Sequence, residues 1–131
     1  EVNVDIIQFH GREKDSFCSQ FDKPFIKAVS YHNKELLLNL DQHYPNAYGF
    51  IVDSHQEGEM GGTGTTFQEK NLSFSSKKPI LVAGGINSTN VINVVKTYNP
   101  YGIDVSSGVE SSKGIKSIKL IKELVEIIKN E

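Results

Sequence analysis

Five short apolar runs recur at intervals of about twenty to thirty residues, the spacing of successive strand–helix units, whose crossovers must be long enough to hold a helix. They are Val4 to Gln8, ending in Phe9-His10-Gly11; Pro24 to Val29, containing Lys27; Gly49 to Val52, stopping at Asp53; Pro79 to Ala83, with Gly84-Gly85 at its end; and Gly102 to Val105, running into Ser106-Ser107-Gly108. Continuous apolar runs of this length are those of strands buried on both faces. The expectation is an α/β fold on a parallel sheet.

The stretches between the runs supply the helices. Arg12 to Phe21 places Phe17, Cys18 and Phe21 at helical spacing, so Cys18 reads as core rather than nucleophile. Asn33 suits the N-cap of a helix carrying Leu36, Leu37, Leu40 and Tyr44 and closed by Pro45. Ser88 or Asn87 would cap a helix with Val91, Ile92, Val94, Val95 and Tyr98, stopped at Asn99-Pro100. From Ser117 to Lys129, Ile118, Ile121, Leu124, Val125 and Ile128 form one stripe between lysines and glutamates. Gln68 to Lys78 shows at most a short helical turn around Leu72 to Ser75.

At 131 residues the chain can hold one ordinary domain, which spans 1–131. A net charge of -2 offers no footprint for nucleic acid and no polybasic membrane patch, so an anionic ligand would have to be bound by local groups. No apolar run approaches the length of a membrane span, and no charged-then-apolar leader opens the chain. With one cysteine there is neither an intrachain disulfide nor a cysteine-rich zinc site, and a reducing cytoplasm fits. His10, His32, His43 and His55 show no metal-ligand spacing, and no metal or organic cofactor is expected.

The chemistry-bearing residues cluster at strand ends. Asp53 follows a buried strand without a gap, and behind it Gly61-Gly62-Thr63-Gly64 can lie against a ligand with no side chain in the way. In parallel α/β folds ligands sit at the carboxyl ends of strands, so an acid with a flexible glycine loop behind it fits a catalytic group beneath a lid. The bland alternative is a strand-to-helix connection whose Asp caps a helix. Gly84-Gly85 exposes backbone N–H groups, and Ser106-Ser107-Gly108 offers N–H groups and hydroxyls. Neighbouring loops of this kind after the last two strands suit a phosphate. His10, Gly11, Asp53, Ser54, Gly84, Gly85, Asp104, Ser106, Ser107 and Gly108 should then converge on one rim.

QFHG at Gln8 to Gly11, VDS followed by GGTGTTF, LVAGGINSTNV at Leu81 to Val91 and DVSSGVE at Asp104 to Glu110 together resemble successive motifs of the phosphoribosylanthranilate isomerases of tryptophan biosynthesis. That family is a (β/α)8 TIM barrel carrying out an Amadori rearrangement of a phosphorylated sugar–anthranilate substrate without metal or organic cofactor. The resemblance implies that Asp53 is the general acid protonating the furanose ring oxygen. It further implies that Gly84, Gly85, Ser106, Ser107 and Gly108 hold the substrate phosphate. His10 and Asp104 would line the pocket, and the loop from Ser54 to Thr66, including Gly62, would close over it. Thr65 and Gln68-Glu69 depart from the basic or amide residue and the Asp-Trp pair common in that loop.

The match begins at the family's fourth strand. The resemblance places the general-base cysteine on the first barrel strand and an arginine for the anthranilate carboxylate on the second, and neither is matched here. The expectation is therefore a partial (β/α)8 barrel corresponding to strands four to eight with their helices, nearly inactive alone. A first residue that is Glu rather than Met, with strand already at Val4, suggests a beginning cut from something longer. Other possibilities stay open. Lys27 could form a Schiff base as in barrel aldolases, or be a salt-bridged core lysine. A flavin-phosphate barrel would use similar loops. The chain could also be a non-catalytic phosphate-binding half-barrel, completed by a partner carrying the missing N-terminal segment.

Overall fold

The computed structural model describes residues 3–54 and 73–130. Five strands, β1 (Ile7–Phe9), β2 (Phe25–Ser30), β3 (Gly49–Asp53), β4 (Ile80–Ala83) and β5 (Gly102–Asp104), form one parallel sheet in sequence order. Each crossover sets a strand beside its predecessor. The period-2 alternation of side chains then divides the sheet into two unlike faces.

One face carries Phe9, Phe25, Val29, Phe50, Val52, Ile80 and Val82, all buried, and the helices cover it. They are α1 (Asp15–Cys18), continued by a 3-10 turn at Ser19–Phe21, α2 (Lys34–Leu38), α3 (Leu40–His43), α4 (Val91–Tyr98) and α5 (Ile118–Lys129). Cys18, Leu37, Leu40, Val91, Val94 and Leu124 project from them into the same core. Each large side chain removed from water here contributes roughly 1.5–3 kcal/mol, and this layer dominates the stability. On the opposite face, among the described residues, strand residues meet: Ala28, Ile51 and Ala83, flanked by Ile26 and Leu81. None of the helices in the described residues is long and apolar enough to cross a membrane.

Several elements differ from the sequence expectation. β1 starts at Ile7 rather than Val4, because its register begins at Ile7 opposite Phe25, and Val4 and Ile6 remain exposed. The helix expected over Arg12 to Phe21 is a single α-turn followed by the 3-10 turn, and Phe17 and Phe21 lie at the surface, edge-packed around Phe9. The helix after Asn33 breaks at Asn39, whose side-chain amide bonds back to the Glu35 carbonyl, and resumes as α3. Asn33 does cap it, accepting the Leu36 N–H at 3.2 Å. β5 ends at Asp104, one residue short of Val105.

Ser73 to Ser76 form no helical turn. The segment is pinned instead by Phe74 stacked on Tyr98, by the Ser75 N–H on the Leu37 carbonyl and by Ser76 and Lys77 on the Asp41 carboxylate. Ahead of α4 the N-cap position falls to Asn90, while Asn87 opens the preceding turn by accepting the Thr89 N–H. Ser117 caps α5, accepting the Leu120 N–H, and the face the helix buries is rotated from the expected one. Leu120, Leu124, Ile127 and Ile128 meet the core, leaving Ile118, Ile121 and Val125 exposed. A small antiparallel hairpin, β6 (Glu110–Ser112) and β7 (Ile115–Lys116), was not legible in so polar a stretch, although Gly114 at φ +81° marks its turn.

Candidate active site

Register places the acids. Ser30 pairs with Asp53, Asp53 with Ala83 and Ala83 with Asp104, so these four lie side by side on the sheet face away from the helices, at its carboxyl edge. Two strand spacings separate Asp53 from Asp104, about 10 Å. Between them in the register stands the small methyl of Ala83. Ser30 was missed in the sequence because it ends an apolar run, yet it shares the parity of Ala28.

The loops crowd onto this edge from both sides. Gly84 has φ +96°, and a Cβ built on it would stand 1.9 Å from Ser54 Oγ and 2.7 Å from Asp53 Oδ1. Only glycine fits such a position, and its absence of side chain lets the β4 loop press against the acid. Gly85 follows at φ +62°, and its carbonyl accepts the Asn90 side-chain amide at 2.9 Å. Across a planar trans peptide this turns the Ile86 N–H the opposite way. Gly108 joins the β5 loop to the β4 loop, since a Cβ there would fall 1.8 Å from the Ile86 carbonyl oxygen. Asp53, Gly84, Gly85 and Gly108 therefore form one continuous surface.

Two further groups reach it. His10, just beyond β1, brings Nε2 to 4.0 Å from Asp53 Oδ2, with the imidazole 64% exposed and the aspartate 14%. That distance is a close approach rather than a hydrogen bond. Ser106 and Ser107 are exposed at the start of the 3-10 turn Ser107–Val109. From β7, Lys116 donates to the Ser106 carbonyl at 2.9 Å and to the Ser106 hydroxyl at 3.0 Å, with Glu110 as counter-ion at 2.6 Å. Nothing in the linear order connects Lys116 with Ser106, because the hairpin that joins them is not legible in so polar a stretch. Gly62 and the lid expected from Ser54 to Thr66 lie outside the described residues beyond Ser54.

Lys27 and Cys18 belong to the other face. Lys27, 1% exposed, lies between Phe25 and Val29 on the helix side, with Glu13 at 3.4 Å and the Tyr44 ring at 5.7 Å. A carbonyl substrate at the carboxyl edge opposite cannot reach its ammonium, so the Schiff-base alternative fails. Cys18 is fully buried, and burial pushes its thiol up from the ordinary value of 9.0. It is a protonated core side chain. Among the described residues, no three His, Cys, Asp or Glu side chains gather as a metal site.

A singly wound parallel sheet with helices on one face, and with its carboxylates, glycine turns and serines on the carboxyl edge, is a β/α-barrel-like scaffold of the class that carries its sites on that edge. Comparison then gives the family. Residues 1–127 match the family model for N-(5'-phosphoribosyl)anthranilate (PRA) isomerase, and the chain belongs to that family. It is 40% identical over 130 residues to the N-(5'-phosphoribosyl)anthranilate isomerase of Hahella chejuensis, covering 99% of this chain and 61% of that protein. The isomerase of Stenotrophomonas maltophilia strain R551-3 is 39% identical over 130 residues, 98% of this chain and 60% of its own length. Among solved structures, the isomerase of Pyrococcus furiosus superposes with a TM-score of 0.71 at 31% identity, over 97% of this chain and 63% of that one. The Thermotoga maritima isomerase gives 0.76 at 27% identity, over 98% and 63%. The chain thus spans about three fifths of the length of the relatives it matches.

Proposed function

We propose that the chain supplies the acid and phosphate side of a phosphoribosylanthranilate isomerase, as one incomplete barrel domain whose five strands correspond to strands four to eight of a (β/α)8 barrel. The reaction is the Amadori rearrangement of N-(5-phosphoribosyl)anthranilate to 1-(2-carboxyphenylamino)-1-deoxyribulose 5-phosphate, in cytoplasmic tryptophan biosynthesis. One observation carries the proposal: on a single sheet edge the Asp53 carboxylate lies against Gly84, and Gly108 lies against Ile86 of the same β4 loop.

The geometry suggests the division of labour. The substrate phosphate sits against the β4 and β5 loops, held by backbone N–H groups near Gly84 and Gly85 and by Ser106, Ser107 and Gly108. That anchors the sugar over Ala83, between Asp53 and Asp104. Asp53, protonated at the moment of transfer, gives its proton to the ring oxygen; the C1–O bond breaks and the anthranilate nitrogen takes up the positive charge as an iminium. Loss of the C2 proton to a base then yields the enolamine, which tautomerises to the ketose. Cys18 is not that base, being buried on the opposite face. By family resemblance, the base is a cysteine on the first barrel strand. His10 lines the pocket beside Asp53, and the residues around Gly62 form its lid.

The test combines binding with complementation. Inorganic phosphate should bind the chain in titration calorimetry, and Ser107→Asp should abolish that binding by like-charge repulsion. Co-expression with a segment carrying the first three strands should restore tryptophan-independent growth to an isomerase-deficient host. Phosphate binding without rescue would favour a non-catalytic half-barrel. Absence of both phosphate binding and rescue would remove the proposal altogether.

A further inference from the structure

We propose that the Lys27–Glu13 pair, with its ammonium buried, is a positioning device, setting His10 against Asp53 from the helix side of the sheet. The inference deepens the proposed function, resting on Asp53 and His10 belonging to one site. Lys27 is the largest charged side chain in the core, and flanked by Phe25 and Val29 it occupies a place where an apolar residue would avoid desolvating an ammonium. A buried ammonium is therefore poorly explained by stability alone.

What the ammonium holds supplies the explanation. Its three donors go to the carbonyls of Phe9 at 3.4 Å, Gly11 at 2.8 Å and Ala28 at 3.0 Å. Phe9 and Gly11 are the two neighbours of His10. A single point charge thus fixes the backbone on both sides of the histidine and ties it to β2, the strand between β1 and β3. Glu13 completes the loop by accepting the Gly11 N–H at 2.9 Å, while Tyr44 donates to the Glu13 carbonyl at 3.1 Å. The imidazole itself is mostly exposed, so its approach to Asp53 at 4.0 Å depends on where this backbone is held. Lys27 touches neither substrate nor the reacting atoms; it acts through His10.

The experiment reads the His10 ring resonance of the isotope-labelled chain by NMR, at fixed pH, with and without Asp53→Asn. In the wild type, Asp53→Asn should displace that resonance. In a Lys27→Met background, which keeps the apolar stem and removes the charge, most of the displacement should vanish while the Val52 and Val82 methyl signals stay in place. An equal displacement in a folded Lys27→Met chain, or none in the wild type, would overturn the proposal. Should Lys27→Met fail to fold, Glu13→Ala at a partly exposed position carries the same comparison with the same expected loss. Unfolding of both variants would show the pair to be a folding element and overturn the positioning role. Inorganic phosphate binding serves as the separate control. It should be unchanged in Lys27→Met, and its absence from the wild type would count against the proposed site while leaving the His10–Asp53 comparison decisive for Lys27.

Discussion

Gly84 and Asp53 occupy adjoining strand ends so closely that the space for a Cβ on the glycine is taken, at 2.7 Å, by the aspartate's own Oδ1. Their contact joins the proposed acid to a loop suited to an anion. Gly84→Ala should therefore act twice. The positive φ alone costs about 1 kcal/mol, and the clash with Ser54 and Asp53 forces the acid or the loop to move, for a total of roughly 2–4 kcal/mol. Urea melts should show the loss, and an unchanged midpoint would mean the two loops are less tightly joined than described.

Gly108 offers a second version of the same experiment. A methyl there meets the Ile86 carbonyl, so Gly108→Ala should part the β4 and β5 loops. Phosphate affinity should fall about tenfold or more, equivalent to some 1.4 kcal/mol, as measured by calorimetry. Equal affinity in the variant would separate phosphate binding from this contact.

Cys18 should report unfolding rather than chemistry. Its burial and raised pKa predict that a thiol reagent labels the native chain very slowly and the urea-unfolded chain at once. Fast labelling under native conditions would reopen Cys18 as a reactive group. The Cys18→Ala variant should keep its phosphate binding.

Asp41 predicts a pH dependence. The Lys77 N–H and the Ser76 hydroxyl hold its carboxyl below the ordinary 3.8. A folded pKa depressed below the unfolded one contributes stability that is complete above 3.8 and disappears as pH falls through the folded value. Asp41→Asn should cost about 1 kcal/mol near neutral pH, and the gap from wild type should close in acid. Parallel urea midpoints at all pH values would contradict this.

How far the sequence could be read depended on whether a residue's role was set locally. The strands were legible because burial on both faces leaves continuous apolar runs, and Asn33 because a cap acts within its own turn. Phe17, Phe21, Ile118, Ile121 and Val125 were not, since helical spacing shows that a stripe exists without showing which side the sheet covers. Glycines 84, 85 and 108 could be found from their position after strands, whereas Ser30 and Lys116 depend on register and on a hairpin. Lys27 was ambiguous for the same reason. A lysine in a strand faces the site or the helices according to parity, and the parity was fixed only by pairing with β1 and β3.

The most direct measurement is turnover of N-(5-phosphoribosyl)anthranilate by the chain completed with the first three strands, compared with the same assembly carrying Asp53→Asn. The account predicts that the variant still binds inorganic phosphate as the wild type does but loses kcat to background. A kcat for Asp53→Asn equal to that of the unaltered assembly would contradict it.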